Sequence, residues 1–317
     1  MPCRIHAISP VQGTGNRLDL ELVCPLLEEA GFEVVRYPVL RRNGRARLAH
    51  MLRWLAQFRW RCDINLFLGP LFPEWLPFAK KNVWIPNAEG FHEHQRKFLP
   101  WIDLILAKTK LTENVFRELG RPVEFISFTS RDRLDNTVPR DYTRFLHACH
   151  SPFKGTKRLV ENWKAHPEWP GIILVDHPPL PEAFNIDTIP GYMPDDKYRQ
   201  LQNEIGLHLC CSEAEGFGHY IMEALSCGCV ALATNGPPMN ELVRPSRGIL
   251  LDCLPDTEPL GLSHRYFFDP KSLGDAIARV KEMDEHALRA LGTAGRDFFL
   301  KNDRQFRRRF VDVMQSL

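Results

Sequence analysis

Short apolar runs alternate with amphipathic stretches along most of this 317-residue chain. That is the pattern of parallel strands joined by helices. In the first half, Arg4–Ile8, Glu33–Tyr37, Ile64–Leu68, Asn82–Ile85, Leu104–Ala107 and Val123–Phe128 read as strands. Between them Asn16–Ala30, Leu48–Phe58 and Leu111–Leu119 read as helices, the first and last closed by Gly31 and Gly120, where a glycine can take the left-handed backbone of a helix end.

The polar segment 129–143, which contains Pro139, interrupts the pattern and predicts a linker. The alternation then restarts. Phe145–Ala148, Gly171–Val175, Leu207–Cys211, Val230–Ala233 and Gly248–Leu251 read as strands. Gly155–Ala165, Asp195–Ile205 and His219–Ser226 read as helices, Met239–Leu242 as a helical turn, and Pro270–Leu317 as mostly helical. Two α/β units are therefore expected, over residues 1–135 and 143–300, with a terminal helix over 301–317. In such sheets ligands sit beyond the carboxyl ends of the strands.

Composition narrows the reading. The chain is 44% hydrophobic and 25% charged, with a formal net charge of +2, so it is an ordinary globular protein with no global drive toward nucleic acid. No window approaches the roughly 18 apolar residues that a spanning helix needs, and the start, MPCRIHAISP, does not read as a secretory signal. A cytoplasmic protein, at most at the inner face of a membrane, is the expectation. The nine cysteines are odd in number and contain no C-x-x-C pair. That predicts neither a metal site nor a disulfide framework, and leaves the cysteines as small core residues.

The chemistry concentrates in Ser212–Val230, SEAEGFGHYIMEALSCGCV. A strand delivers the chain to a turn in which Gly216 and Gly218 bracket Phe217, and a helix follows at once. Glycines let the backbone approach a ligand, and the first N–H groups of the helix form an anion site. Glu215 lies in the turn, and Glu223 lies inside a helix that is otherwise apolar. His219 and Glu223 are four apart and share one helix face. Paired carboxylates suit a polyhydroxylated ligand, and an acid on an apolar helix needs a partner to be buried.

Glu215 through Ala231, with Glu215-Gly216-Phe217-Gly218, Glu223-Ala224, Gly228 and Val230, resembles the donor-site signature of glycosyltransferase family 4. The resemblance implies the GT-B fold: two Rossmann-like domains facing a cleft, the first on the acceptor side, the second binding the nucleotide-sugar, and a last helix crossing back to the first. It implies transfer of a sugar from a nucleotide-diphosphate-sugar, a UDP- or GDP-sugar, with retention of configuration and with no metal or cofactor required. Glu223 would contact the ribose, and Glu215, Gly216, Phe217, Gly218 and His219 the transferred sugar and diphosphate. Lys154-Gly155 resembles the family's phosphate-binding Lys-Gly. Where the family has a further cation, Cys149 and His150 stand here. Tyr192 and Met193 stand where the family places the base.

In the first half, Gly13 and Gly15 open a helix after the first strand, in a loop that the resemblance aims at the diphosphate. Asn82–Phe98 carries Asn87, Glu89, His92, Glu93 and His94 after a strand. Glu89 and His92 are the candidate catalytic groups, while Glu93 and His94 can equally be a solvated face. Lys108 either reaches the cleft or is exposed. Arg307–Arg309, in the basic terminal helix, could meet anionic lipid or simply face solvent. The alternative functions are a nucleotide-sugar-binding protein without catalysis, or a GT-B relative such as a sugar-nucleotide epimerase. The acceptor, whether glycan, lipid-linked or small molecule, is not specified by any of these residues.

Overall fold

The computed structural model describes residues 2–10, 14–39, 62–180 and 184–317, together with positions 44, 48, 49, 51, 52 and 56. Most of the helix expected over Leu48–Phe58 lies outside the described residues. The chain divides into two compact units. One comprises Met1–Thr129, Leu260–Ser263 and Asp303–Leu317, and the other Ser130–Pro259 and His264–Asn302.

The first unit holds β1 (Arg4–Pro10), α1 (Thr14–Glu29), β2 (Glu33–Val39), β3 (Cys62–Leu68), β4 (Ala79–Ile85), β5 (Leu104–Ala107), α2 (Lys110–Glu118) and β6 (Val123–Phe125). The strands form one parallel sheet in the order β2-β1-β3-β4-β5-β6. They are apolar runs because both faces are covered. Phe67, Trp75, Trp84, Ile105 and Phe116 share one core cluster. Two 3-10 segments, Pro73–Phe78 and Glu93–Trp101, lie between the strands, and the first was not foreseen. Each contains an internal proline, Pro77 and Pro100.

Lys108 is not exposed. It is buried and donates to Asp19 of α1 at 3.0 Å, with the two side chains 3% and 1% exposed. A buried lysine needs such a partner, and the sequence spacing of 89 residues hides it.

The second unit repeats the plan. It holds β7 (Asp141–Ala148), α3 (Thr156–Ala165), β8 (Ile172–Val175), β9 (Ile186–Ile189), α4 (Asp195–Glu204), β10 (Ile205–Cys210), α5 (His219–Ser226), β11 (Val230–Thr234), α6 (Met239–Leu242) and β12 (Ile249–Leu251). These strands form a second parallel sheet in the order β12-β11-β10-β7-β8-β9. The order reverses between β7 and β10, so the loops that leave those two strands diverge to opposite sides and open a crevice at their carboxyl ends. β13 (Cys253–Leu260) and β14 (Ser263–Phe268), a two-stranded ribbon, were not foreseen. The run CLPDTEPL of β13 is mostly exposed and lacks the apolar alternation that marks a half-buried strand.

The chain ends in α7 (Pro270–Glu282) and α8 (Glu285–Gln315). The segment expected as a separate helix over 301–317 is the second part of the 31-residue α8. Residues of α8 up to Asn302 group with the second unit, and Asp303–Leu317 with the first. In the first unit, Phe306 and Phe310 of α8 are buried, and Phe306 meets Phe128 edge-on at 4.9 Å between centroids. Of the Arg307–Arg309 cluster, Arg307 pairs with Asp303 at 2.7 Å and Arg309 donates to the Phe125 carbonyl at 3.2 Å. Among the described residues no helix is long and apolar enough to cross a membrane. All nine cysteines are free, and six of them are buried.

Gly292 of α8 packs against the end of α5, where an added Cβ would lie 2.1 Å from the Gly228 carbonyl oxygen. Backbone on both sides cannot yield. Gly292→Ala should therefore lower stability by about 2 kcal/mol or more, read as a reduced urea midpoint; an unchanged midpoint contradicts this packing.

Candidate active site

The crevice at the ends of β7 and β10 is built on two glycines in the left-handed backbone region, Gly155 and Gly218. Gly155 caps α3 with φ +69°, and a Cβ on it would lie 2.3 Å from the Cys211 carbonyl oxygen. The loop after β7 thus lies directly on the chain leaving β10. His147, buried on β7, fastens the same contact. Its Nδ1 is 2.7 Å from the Leu209 carbonyl and its Nε2 2.9 Å from the Thr156 hydroxyl. A carbonyl only accepts, so Nδ1 carries the proton and Nε2 accepts from Thr156. Gly218, with φ +107°, is the N-cap of α5 and contributes no side chain to close the first turn.

This backbone brings Lys154 and Glu215 together across 61 positions of sequence: Lys154 Nζ donates to Glu215 Oε1, with the side chains only 13% and 14% exposed. The same carboxylate oxygen accepts from Ser212 Oγ at 2.5 Å, and Ser212 Oγ lies 2.6 Å from the Tyr220 hydroxyl. Ser212 has one proton and gives it to the carboxylate, so Tyr220 donates to Ser212. Burial raises the Tyr220 phenol well above its ordinary pKa, which keeps that proton in place. The Lys154 ammonium lies 3.5 Å from the centre of the Tyr220 ring, a cation–π contact. Glu215 Oε2 has no hydrogen-bond partner among the described residues. Around this centre, Glu213 N–H donates to the Phe153 carbonyl at 2.7 Å, its carbonyl accepts from Tyr266 N–H at 2.7 Å, and its carboxylate pairs with Arg265. The unforeseen ribbon therefore braces the loop.

Glu223 lies one helical turn inside α5 and is 7% exposed. Its Oε2 accepts from Gln202 Nε2 at 3.0 Å. Phe217 is buried and meets the His219 ring at 5.4 Å. His219 Nδ1 lies 3.0 Å from Ser130 Oγ, a residue expected in the linker. His150 packs edge-on against Tyr198 at 6.2 Å, and both Lys154 and Glu223 act on it electrostatically. Desolvation holds its imidazole below the ordinary pKa, so at neutral pH it offers a hydrogen bond and no charge. Met193 packs with Tyr198 on the cluster of Leu146, Ile173, Val175 and Ile205. Tyr192 is 78% exposed.

The first-unit candidates occupy less distinctive places. Gly13 lies outside the described residues, and Gly15 is the exposed second residue of α1. Glu89 is half-buried in the single turn Ala88–Gly90, against which the ribbon tip packs through Leu262 N–H to the Ala88 carbonyl at 2.8 Å. His92 is an exposed N-cap whose backbone N–H donates to Gln95 Oε1 at 2.8 Å, and its ring stacks on His94 at 5.6 Å. Glu93 pairs with Arg96 in solvent. Among the described residues, no group of three or more His, Cys, Asp or Glu side chains is placed to hold a metal ion.

Sequence reasoning missed Ser212, Tyr220, Gln202 and Arg133. Ser212 and Tyr220 were legible in principle, since they flank Glu215 within the quoted segment. Gln202 and Arg133 carry no motif.

With this geometry in hand, the relatives fall into place. Residues 188–296 match the family described as Glycosyl transferases group 1, about a third of the chain. No curated protein sequence matches the chain. A glycosyltransferase from Rickettsia africae ESF-5 superposes with a TM-score of 0.72 at 14% identity, covering 99% of this chain and 98% of that one. A structure described as trehalose-6-phosphate from E. coli bound with UDP-2-fluoro glucose superposes at 0.71 with 8% identity over 99% of both chains. The pneumococcal O-GlcNAc transferase GtfA in complex with UDP and GlcNAc superposes at 0.66 with 14% identity, over 84% of this chain and 60% of that one. At these identities the likeness is one of fold, the GT-B class of two Rossmann-like units.

Burial drops the pKa of His147 to about 4, and that of His6, enclosed by Tyr37 and Trp75, also to about 4. The unfolded chain takes up these protons near pH 6.5 and the folded chain does not. Stability is thus unaffected above that value and falls as pH drops from 6.5 toward 4, by up to about 3 kcal/mol per residue. Urea denaturation across this range should show the loss, and His147→Gln should remove its share; a flat profile refutes the buried neutral imidazoles.

Proposed function

We propose that this chain is a glycosyltransferase that moves a sugar from a nucleotide-diphosphate-sugar to an acceptor nucleophile with retention of configuration. The observation that carries the reading is the meeting of Lys154 and Glu215 at the topological switch of the second sheet, beside the open helix start at Gly218. The match of residues 188–296 to Glycosyl transferases group 1 supports it, as do fold relatives described with UDP and a sugar.

In this reading the donor's diphosphate takes Lys154 from Glu215. The ammonium, with the N–H groups at the start of α5, then stabilises the charge that builds as the nucleoside diphosphate departs. Glu215, still held by Ser212, accepts from the hydroxyls of the transferred sugar. Glu223 accepts from the ribose. His150 contributes a neutral hydrogen-bonding group, and Tyr192 with Met193 borders the base. The acceptor attacks the face from which the diphosphate leaves, and the diphosphate takes the acceptor's proton. Glu89 and His92 are assigned to the acceptor side, and the donor is a UDP- or GDP-sugar that needs no metal.

A thermal-shift screen of nucleotide-sugars should raise the melting temperature with one nucleotide class, because a ligand bound only by the native state stabilises it. With that donor, Lys154→Ala should lower kcat at least about 100-fold while leaving the circular dichroism spectrum unchanged. Normal turnover by a folded Lys154→Ala protein would overturn the assignment. Binding without transfer or donor hydrolysis would identify a nucleotide-sugar-binding protein instead.

A further inference from the structure

Glu223 is nearly buried, yet its carboxylate receives a single hydrogen bond among the described residues, from Gln202. Gln202 is fully buried on α4. A side-chain amide can present either end to a neighbour, and presenting its oxygen to a carboxylate would repel it. The direction is set by Arg133, whose guanidinium can only donate. Arg133 Nε–H donates to Gln202 Oε1 at 2.9 Å. The amide oxygen therefore faces Arg133, and the NH2 group is turned to Glu223.

Arg133 is itself held on every side. It is 4% exposed. Its Nη1 reaches both carboxylate oxygens of Asp195 at 2.9 Å, and its Nη2 donates to the Asp195 carbonyl at 3.0 Å. Its backbone N–H donates to Ser226 Oγ at 3.0 Å, and Ser226 Oγ donates in turn to the Glu223 carbonyl at 2.7 Å. Its carbonyl accepts from Arg199 Nε at 3.1 Å and Asn203 Nδ2 at 2.8 Å. The linker residue is thus tied to α5 twice, once through the backbone beside Glu223 and once through its carboxylate.

We propose that Arg133 and Gln202 are positioning residues of the donor site. Anchored on Asp195, Arg133 donates to Gln202 and Gln202 donates to Glu223, a relay that occupies Glu223 Oε2 and leaves Oε1 to accept from the ligand's hydroxyls. This rests on the reading of Glu223 as a nucleotide contact. A carboxylate held at one oxygen cannot rotate away, so the relay sets how tightly nucleotide binds.

The test is calorimetry with UDP, GDP, ADP and dTDP on the full chain. With the nucleotide that the wild-type protein binds, Gln202→Leu should raise Kd about tenfold, the effect of losing a hydrogen bond to a charged group. Because Gln202 acts through Glu223, the Gln202→Leu, Glu223→Gln double variant should bind no more weakly than Glu223→Gln alone. Gln202→Glu keeps the volume and the Arg133 contact but sets a second carboxylate against Glu223. Its affinity should recover relative to wild type as pH falls from 8 to 5.5, when the pair can share a proton. Should Gln202→Leu fail to fold, the pH profile of Gln202→Glu decides. Unchanged Kd in a folded Gln202→Leu protein, fully additive penalties in the double variant, or a pH profile parallel to wild type each overturn the relay while leaving the donor site standing. A wild-type protein that binds none of the four nucleotides overturns both.

Discussion

Charges withdrawn from water have to be answered by partners, and in the second unit that requirement organises everything at the ends of β7 and β10. Lys154 and Glu215 are both mostly covered and answer each other. For them to meet, the loop after β7 must lie on the chain leaving β10, which only a residue without Cβ permits at Gly155. His147 ties the two strands beneath the contact, and Ser212, itself held by Tyr220, donates to the same carboxylate oxygen as Lys154. The arrangement satisfies its charges internally, and in the proposed function its ammonium and its carboxylate turn to a diphosphate and a sugar. A buried ion pair adds little net stability once its desolvation is counted, so exchanging partners with an anionic ligand is energetically accessible.

A second answered charge lies behind the first. Glu223 sits on a helix whose other residues are core, and the cost of holding its carboxylate there is offset by an ordered amide. That amide is oriented by Arg133, and Arg133 by Asp195. The order is cumulative: each group fixes the direction of the next because some can only donate and others can only accept. The same economy appears where Gly292 of α8 meets Gly228 and where Lys108 meets Asp19. In each case a local sequence preference yields to a neighbour far along the chain.

Much of this was readable before any coordinates. The alternation of apolar runs gave the parallel sheets, since strands covered on both faces must be apolar throughout. Glycines at 216 and 218 marked the turn before the helix, and an acid on the apolar helix at position 223 had to have a partner. Other features were illegible for physical reasons. The strand Cys253–Leu260 is exposed and shows no periodicity. The 3-10 segment Pro73–Phe78 is only six residues long, too short to display a helical period. The segment after Phe128 read as a solvated linker because its arginines and aspartates are the residues normally left in water.

What the sequence determined by itself is the local part: the layer architecture, the helix start at Gly218–His219, and the placing of Glu215 before it and Glu223 within the helix, all set by short-range pattern and backbone stereochemistry. What only the tertiary structure decided is who partners whom. Lys154 with Glu215, Gln202 with Glu223, Arg133 with Gln202 and Asp195, and Lys108 with Asp19 join residues between 21 and 89 positions apart. Nothing in the spacing selects among the chain's many charged residues. The selection is made by burial, because removing a polar group from water leaves it only the partners that the fold brings within reach.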